Sequence, residues 1–362
     1  MKHSVYGSSI SYFTGKVENY FRLRRIPHEF FPMQFPKDRK SLKSELGVIQ
    51  MPSIKLSDGR WQTDSTKIIQ WFESQLPKPG IVPDDPVKAF ICYLIEDWAD
   101  EWWWRPAMHY RWHYDIGASF ASNHLSKELL HSVPLPRFIK RYYLTKRQRL
   151  GYTTGDGISR KNVKQIETQV RELFSHLENI FKKRPFFFGD RPSLADIGLS
   201  GPFFRHFALD PVPAGILKRE APSVLEWSTR LWNASLDDLS NEWTDDIPED
   251  ISPLIKSIGL HYLPYLNANA ECVRLNKRKF SPQIGGVVYK NARASKYRVW
   301  CLNELRLRFL NNSENARQKI ESYLRLHDCW EPLWAINTLP CSFNQEKALP
   351  FKAKFKMVDF DQ

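Results

Sequence analysis

Apolar positions recur at two different periods in the first 80 residues of the chain. "HSVYG" at 3–7 alternates as a short strand, and the polar turn "SSIS" follows it. Over residues 14–25, Val17, Tyr20, Phe21 and Leu23 fall near helical spacing, so the chain opens with strand, loop and helix. After Pro27, residues 28–33 read as a second strand, and residues 37–47 as a polar helix that Gly47 stops. Residues 53–62 read as a hairpin turning at Asp58-Gly59, and residues 65–76 put Ile68, Phe72 and Leu76 on one helical stripe. The predicted order is βαβαββα.

From Asp85 onward the period becomes helical. Residues 85–112 open on an Asp-Pro start signal and keep a stripe through Phe90, Leu94 and Trp98, with a kink expected at Pro106. In "GDRPSLADIGLSGPFF" (189–204), Ser193 and Asp196 stand three apart before an apolar run, the arrangement of a helix N-terminal capping box with Asp in place of Glu. Residues 251–275, 295–310 and 313–326 read as further helices and 279–290 as a hairpin. The expected class is α/β plus all-α, with domains at 1–78 and 85–245 and a mostly helical extension at 246–362.

Composition narrows the function less than the pattern narrows the fold. Thirteen Trp and 23 Phe fit a globular chain with large cores. A net charge of +13 favours an anionic partner without naming one. "PRFIKRYYLTKRQRL" at 136–150 interleaves bases with aromatics, as a nucleic-acid or anionic-surface contact would, and a solvated helix face explains it equally well. No nucleic-acid-binding signature accompanies it, so nucleic acid is not the expected partner. The five cysteines (Cys92, Cys272, Cys301, Cys329, Cys341) have neither paired nor metal-ligand spacing, so no disulfide framework and no metal are expected. No GxGxxG or GxxxxGK loop is present. No apolar run is long enough to span a bilayer, and the expected location is the cytoplasm.

The stretch "MPSIKLSDGRWQTDSTKII" (51–69) carries the candidate chemistry. If the Met51-Pro52 bond is cis, the proline removes a ladder donor and leaves the N–H and C=O of Met51 free for a peptide-like ligand. Asp64 and Ser65 open a helix, where free N–H groups and the helix dipole favour a carboxylate. Either residue could also serve as a plain helix cap.

Three pieces in order, "SYFTGKV" (11–17), "MPSI" (51–54) and "DSTKI" (64–68), resemble the thioredoxin-like N-terminal domain of glutathione transferases. The "SLAD" box resembles the cap of a core helix in the family's helical-bundle C-terminal domain. The resemblance implies glutathione as co-substrate, lying along Met51 and Pro52 with its γ-glutamyl end at Asp64 and Ser65. It implies a thiol activated for attack on a hydrophobic electrophile, as in detoxification. A homodimer is the family habit.

A hydroxyl at the start of the first helix lowers a thiol pKa by favouring thiolate. The serine-type pattern puts Ser11 in that place, the tyrosine-type pattern favours Tyr12, and Thr14 is the third hydroxyl within reach. No cysteine precedes Cys92, so thiol-disulfide exchange through this loop is excluded. The Trp-rich stretch 100–112 is expected to face an acceptor pocket through Trp103, Tyr110 and Arg111, or else to pack a core. The helix at 16–29 also resembles metaxin-like and failed-axon-connections-like members, in which the fold serves as a non-catalytic adaptor.

Overall fold

The computed structural model describes residues 2–239, 242–340 and 349–353; Cys341 lies outside the described residues. Strand β1 (His3–Gly7) pairs in parallel with β2 (His28–Pro32) across the helix α1 (Tyr12–Leu23). On its other side β1 pairs antiparallel with β3 (Ser53–Lys55), which pairs with β4 (Trp61–Thr63), giving the order β2-β1-β3-β4. Helix α2 (Phe35–Leu46) ends where Gly47 adopts a left-handed φ of 78°, and α3 (Ser65–Gln75) follows β4. This is the expected βαβαββα unit. Helix α1 is buried almost throughout, because the sheet covers one side and the helical domain the other.

The helical domain begins with α4 (Pro86–Glu101) and α5 (Trp104–His113). The break falls at Trp102 and Trp103 rather than at Pro106. Pro106 stands in the first turn of α5, where a missing N–H costs no helical hydrogen bond, so it starts a helix instead of kinking one. Helices α6 (Asp115–Glu128), α7 (Arg137–Gln148), α8 (Val163–Phe181), α9 (Leu194–Pro202), α10 (Pro211–Glu220) and α11 (Pro222–Asn233) complete the bundle.

Ser193 and Asp196 form the capping box of α9. The buried Asp196 carboxylate also accepts the Phe187 amide at 2.9 Å and the Trp227 indole at 3.0 Å, so the cap ties the α8–α9 loop and α11 to the core.

The extension comprises α12 (Ser252–Ser257), a π turn, α13 (Leu263–Arg274), two short ladders, α14 (Lys296–Leu310), α15 (Glu314–Leu326) and α16 (Trp330–Trp334). The expected hairpin is nested: β5 (Lys279–Phe280) pairs with β8 (Ala292–Arg293) outside the pair β6 (Gln283–Ile284) and β7 (Val287–Val288). Apolar residues of the extension, among them Ile258, Tyr262 and Leu302, join the core cluster that holds Trp98 and Phe90 of α4. Among the described residues no helix is long and apolar enough to cross a membrane.

Polar contacts fasten the extension to α4. The Tyr262 hydroxyl donates to Asp97 at 2.6 Å, and the Arg298 guanidinium donates to Glu101 at 2.9 Å. Burial lifts the Asp97 carboxyl to about 7, with Glu101 and Glu96 adding to the rise and Tyr262 opposing it. The folded chain therefore keeps a proton that the unfolded chain releases near pH 4. Stability from this group is complete below that point and is lost as pH rises through about 7. Asp97→Asn, which stays neutral, removes that slope. Urea unfolding at about pH 4 and about pH 8 is expected to show the variant gaining on the wild type at the higher pH. A difference that does not change with pH would contradict this assignment.

Candidate functional site

The residues of the expected glutathione cradle lie together. The Met51–Pro52 peptide is cis and leads into β3, and Thr63 closes β4 beside it. The Thr63 hydroxyl donates to the Pro52 carbonyl at 3.2 Å and accepts the Gln50 side-chain amide at 2.9 Å, linking the proline step to the start of α3. The next residue, Asp64, caps α3: its carboxylate accepts the Lys67 amide at 3.1 Å. Its φ is 76°, a conformation that costs an L-residue energy and that clusters at functional positions. Ser65 is buried behind it, and its hydroxyl has no partner among the described residues.

The second oxygen of Asp64 is taken by the chain itself. The Tyr297 hydroxyl, from the first turn of α14, donates to it at 2.6 Å in a fully buried contact. Burial raises the Asp64 carboxyl, while Tyr297 and the Lys67 amide pull the other way. Lys67 pairs with Glu304 of α14 at 2.5 Å and lies over the Trp300 ring. The Thr63 amide donates to the Pro350 carbonyl at 2.8 Å, and the Ala353 amide donates to Leu46 at the same distance. Val48, Tyr297, Trp300, Cys301, Leu349 and Ala353 form a small apolar cluster over this edge. The N-terminus of α3 is thus covered by α14 and residues 349–353.

The three hydroxyls of the first loop have different surroundings. Ser11 is half-buried and caps α1, accepting the Thr14 amide at 3.4 Å. Tyr12 is fully buried and donates to the Ala99 carbonyl at 2.5 Å, with its ring against Trp104 and His206, so it is a fastener between domains. Burial pushes its phenol well up, away from any anionic role. Thr14 is packed on Gly7 so closely that a Cβ there would lie 2.3 Å from its hydroxyl oxygen. Glu128, at the end of α6, accepts the Ser8 hydroxyl at 2.6 Å and the Ser9 amide at 3.1 Å. A carboxylate at this loop opposes a thiolate beside it.

Trp103, Tyr110 and Arg111 are not brought together as one pocket. Arg111 is buried and clamps the loop, donating to the Ile10 carbonyl at 2.7 Å and to Asp210 at 2.9 Å. Tyr110 packs on Phe207 and Tyr114 in the bundle core. Trp103, with Trp98 and Trp102, lines a cavity of about 200 Å³ against α8 and α12. It is Trp104 that faces the thioredoxin-like domain, stacking on Phe13 at 5.4 Å. The space between the domains is filled by a second apolar cluster, in which Ile10, Met33 and Leu46 meet Met108, Trp112 and Leu125.

Several residues of this region have no signal in the local sequence pattern. Lys16, fully buried in α1, binds Glu96 and Asp100 of α4, each at 2.5 Å. Burial alone would lower its ammonium, but Asp100 and Glu96 hold it above the ordinary lysine value. Arg205 donates to the Ser8 carbonyl at 3.1 Å and to Glu18 at 2.6 Å. A cation spaced on an otherwise apolar helix face, as Lys16 is, is the one hint available. Among the described residues no group of three or more His, Cys, Asp or Glu side chains could hold a metal ion.

Residues 5–80 match the family model of the glutathione S-transferase N-terminal domain, and residues 142–234 match that of its C-terminal domain. No curated protein matches the sequence. Among solved structures, the chain is similar to the β-etherase LigF from Sphingobium sp. strain SYK-6 at 19% identity, over 64% of this chain and 95% of that one, with a TM-score of 0.45. It is similar to a glutathione S-transferase from Rhodospirillum rubrum F11 at 16% identity, over 68% and 95%, with a TM-score of 0.41. A third is a glutathione S-transferase from Methylobacterium radiotolerans in complex with glutathione sulfonate, at 16% identity over 68% and 100%, with a TM-score of 0.39. These structural likenesses are distant, and it is the two domain matches, in family order along the chain, that decide membership. The chain belongs to the glutathione S-transferase superfamily.

Proposed function

We propose that this protein uses the transferase fold as a non-catalytic binding scaffold whose glutathione cradle is closed by its own extension. The observation that carries this reading is the Tyr297 hydroxyl on Asp64. Asp64 is the carboxylate that the family resemblance assigns to the ammonium of the γ-glutamyl end, and a buried donor already satisfies it. A ligand entering there must break a hydrogen bond to a charged group, about 1.5–3 kcal/mol, and the Lys67–Glu304 pair holds α14 to the same helix. The filled space between the domains and the Glu128 carboxylate at the first loop support the same reading.

Two features favour a second reading, a glutathione transferase that opens to work. The left-handed φ of Asp64 and the unpartnered Ser65 hydroxyl are what a peptide seat would keep. In that reading glutathione lies along Met51, Pro52, Asp64 and Ser65, Ser11 holds the thiolate, and a hydrophobic electrophile is attacked by sulfur. Tyr12 and Thr14 then support the loop. Fold membership alone does not carry chemistry with it.

Calorimetric titration of the full chain with glutathione separates the two. The scaffold reading predicts no saturable binding and aryl-halide turnover at the uncatalysed rate. Turnover by the wild type that falls in Ser11→Ala, with glutathione binding retained, would establish the second reading instead. Separately, Tyr297→Phe leaves the Asp64 oxygen unpartnered in a buried place. Its unfolding free energy in urea is expected to fall by about 1–3 kcal/mol, and an unchanged value would show that this contact does not hold the edge closed.

A further inference from the structure

The basic, aromatic stretch at 136–150 plays no part in the cradle or its closure. It forms α7, which buries only Leu144 and Gln148. On the helix, Phe138, Tyr142, Ile139 and Tyr143 stand on the side away from Leu144. Phe138 is 72% exposed and Tyr142 68%. Leu135 just before the helix and Leu150 just after it are exposed as well. A contiguous apolar face of this kind on a soluble surface marks a place that something else covers.

Charge identifies the cover. No Asp or Glu occurs between Glu128 and Asp156, while this stretch carries Arg137, Lys140, Arg141, Lys146, Arg147 and Arg149. Arg149 pairs with Asp115 of α6 at 2.8 Å, and three of the others are engaged by uncharged acceptors: Arg137 by the Asn123 side chain, Lys140 by the Leu130 carbonyl and Arg141 by the Ser119 hydroxyl. Such partners orient a cation without cancelling its charge. Lys140 and Arg141 lie nearer the buried face, while the exposed Lys146 stands within the aromatic stripe, its ammonium 6.0 Å from the Tyr142 ring. A second copy of this helix would set like charges against each other. Single-stranded nucleic acid would use the cations and the aromatic rings, but it offers nothing to Leu135, Ile139 and Leu150. An anionic bilayer surface uses every part: aromatic rings at headgroup depth, aliphatic groups below them, cations against phosphates.

We propose that α7 docks this protein peripherally on anionic phospholipid, with Phe138 and Tyr142 entering the interface and Lys146 beside them holding headgroup phosphate. The docking face shares no residue with the cradle, so this inference stands whichever reading of the cradle holds.

The test is sedimentation of the full chain with vesicles of phosphatidylcholine containing about one third phosphatidylglycerol, against phosphatidylcholine alone. The chain is expected to pellet with the first, to stay in solution with the second, and to be released from the first by high salt. The double variant Phe138→Ser, Tyr142→Ser replaces exposed residues and keeps the fold, as circular dichroism will show. It is expected to bind the anionic vesicles about tenfold more weakly or less. Failure of the wild type to pellet, or equal pelleting by the variant, overturns the proposal. Binding of a single-stranded oligonucleotide without vesicle binding assigns the face to nucleic acid and also overturns it.

Discussion

Three buried carboxylates and a half-buried fourth along one side of α4 set the terms for the rest of the molecule. Glu96, Asp97, Asp100 and Glu101 are one helical turn apart in pairs, and burial without partners would cost each several kcal/mol. Their partners come from both ends of the chain. Lys16 of the first helix takes Glu96 and Asp100, the Tyr262 hydroxyl takes Asp97, and Arg298 takes Glu101. The thioredoxin-like domain and the extension are therefore bound to the bundle through a shared row of acids. Removing one partner of such a buried pair costs about 3–5 kcal/mol, which makes the extension part of the fold rather than an appendage.

Closure of the cradle follows from that attachment. Arg298 and Tyr297 are consecutive residues in the first turn of α14, which Ser295 caps by accepting the Arg298 amide. Fixing the guanidinium on Glu101 fixes the neighbouring phenol within reach of Asp64, and Glu304, two turns further along, meets Lys67. The cradle is thus built by local sequence and covered by remote sequence. Its unrelieved features, the left-handed Asp64 and the orphan Ser65 hydroxyl, belong to the built part; the satisfied oxygen of Asp64 belongs to the cover.

The division between what could be read and what could not runs along the same line. Strand alternation, the Asp58-Gly59 turn, the Gly47 stop and the Ser193 cap are local signals, and the elements they predict are present. The adjacency of Met51-Pro52 and Asp64-Ser65 was legible because one short hairpin separates them. Nothing local marks Tyr297 as the partner of a residue more than 200 positions earlier, or Glu128 as the acceptor for Ser8 and Ser9. Arg111 reads as a cleft cation because its charge is visible in the sequence and its buried partner Asp210 is not. The Trp102–Trp103 break has no marker in the sequence as strong as Pro106, a proline that starts α5 instead of bending it.

The central claim is that the start of α3 is sealed by this chain's own C-terminal part. Native-state hydrogen exchange at the Thr63 and Lys67 amides measures that seal directly, since one donates to Pro350 and the other to the Asp64 carboxylate that Tyr297 holds. The account predicts that both amides exchange only through large-scale unfolding and that glutathione leaves their rates unchanged. Rapid exchange in the free protein, or slowing of it by glutathione, would contradict the account.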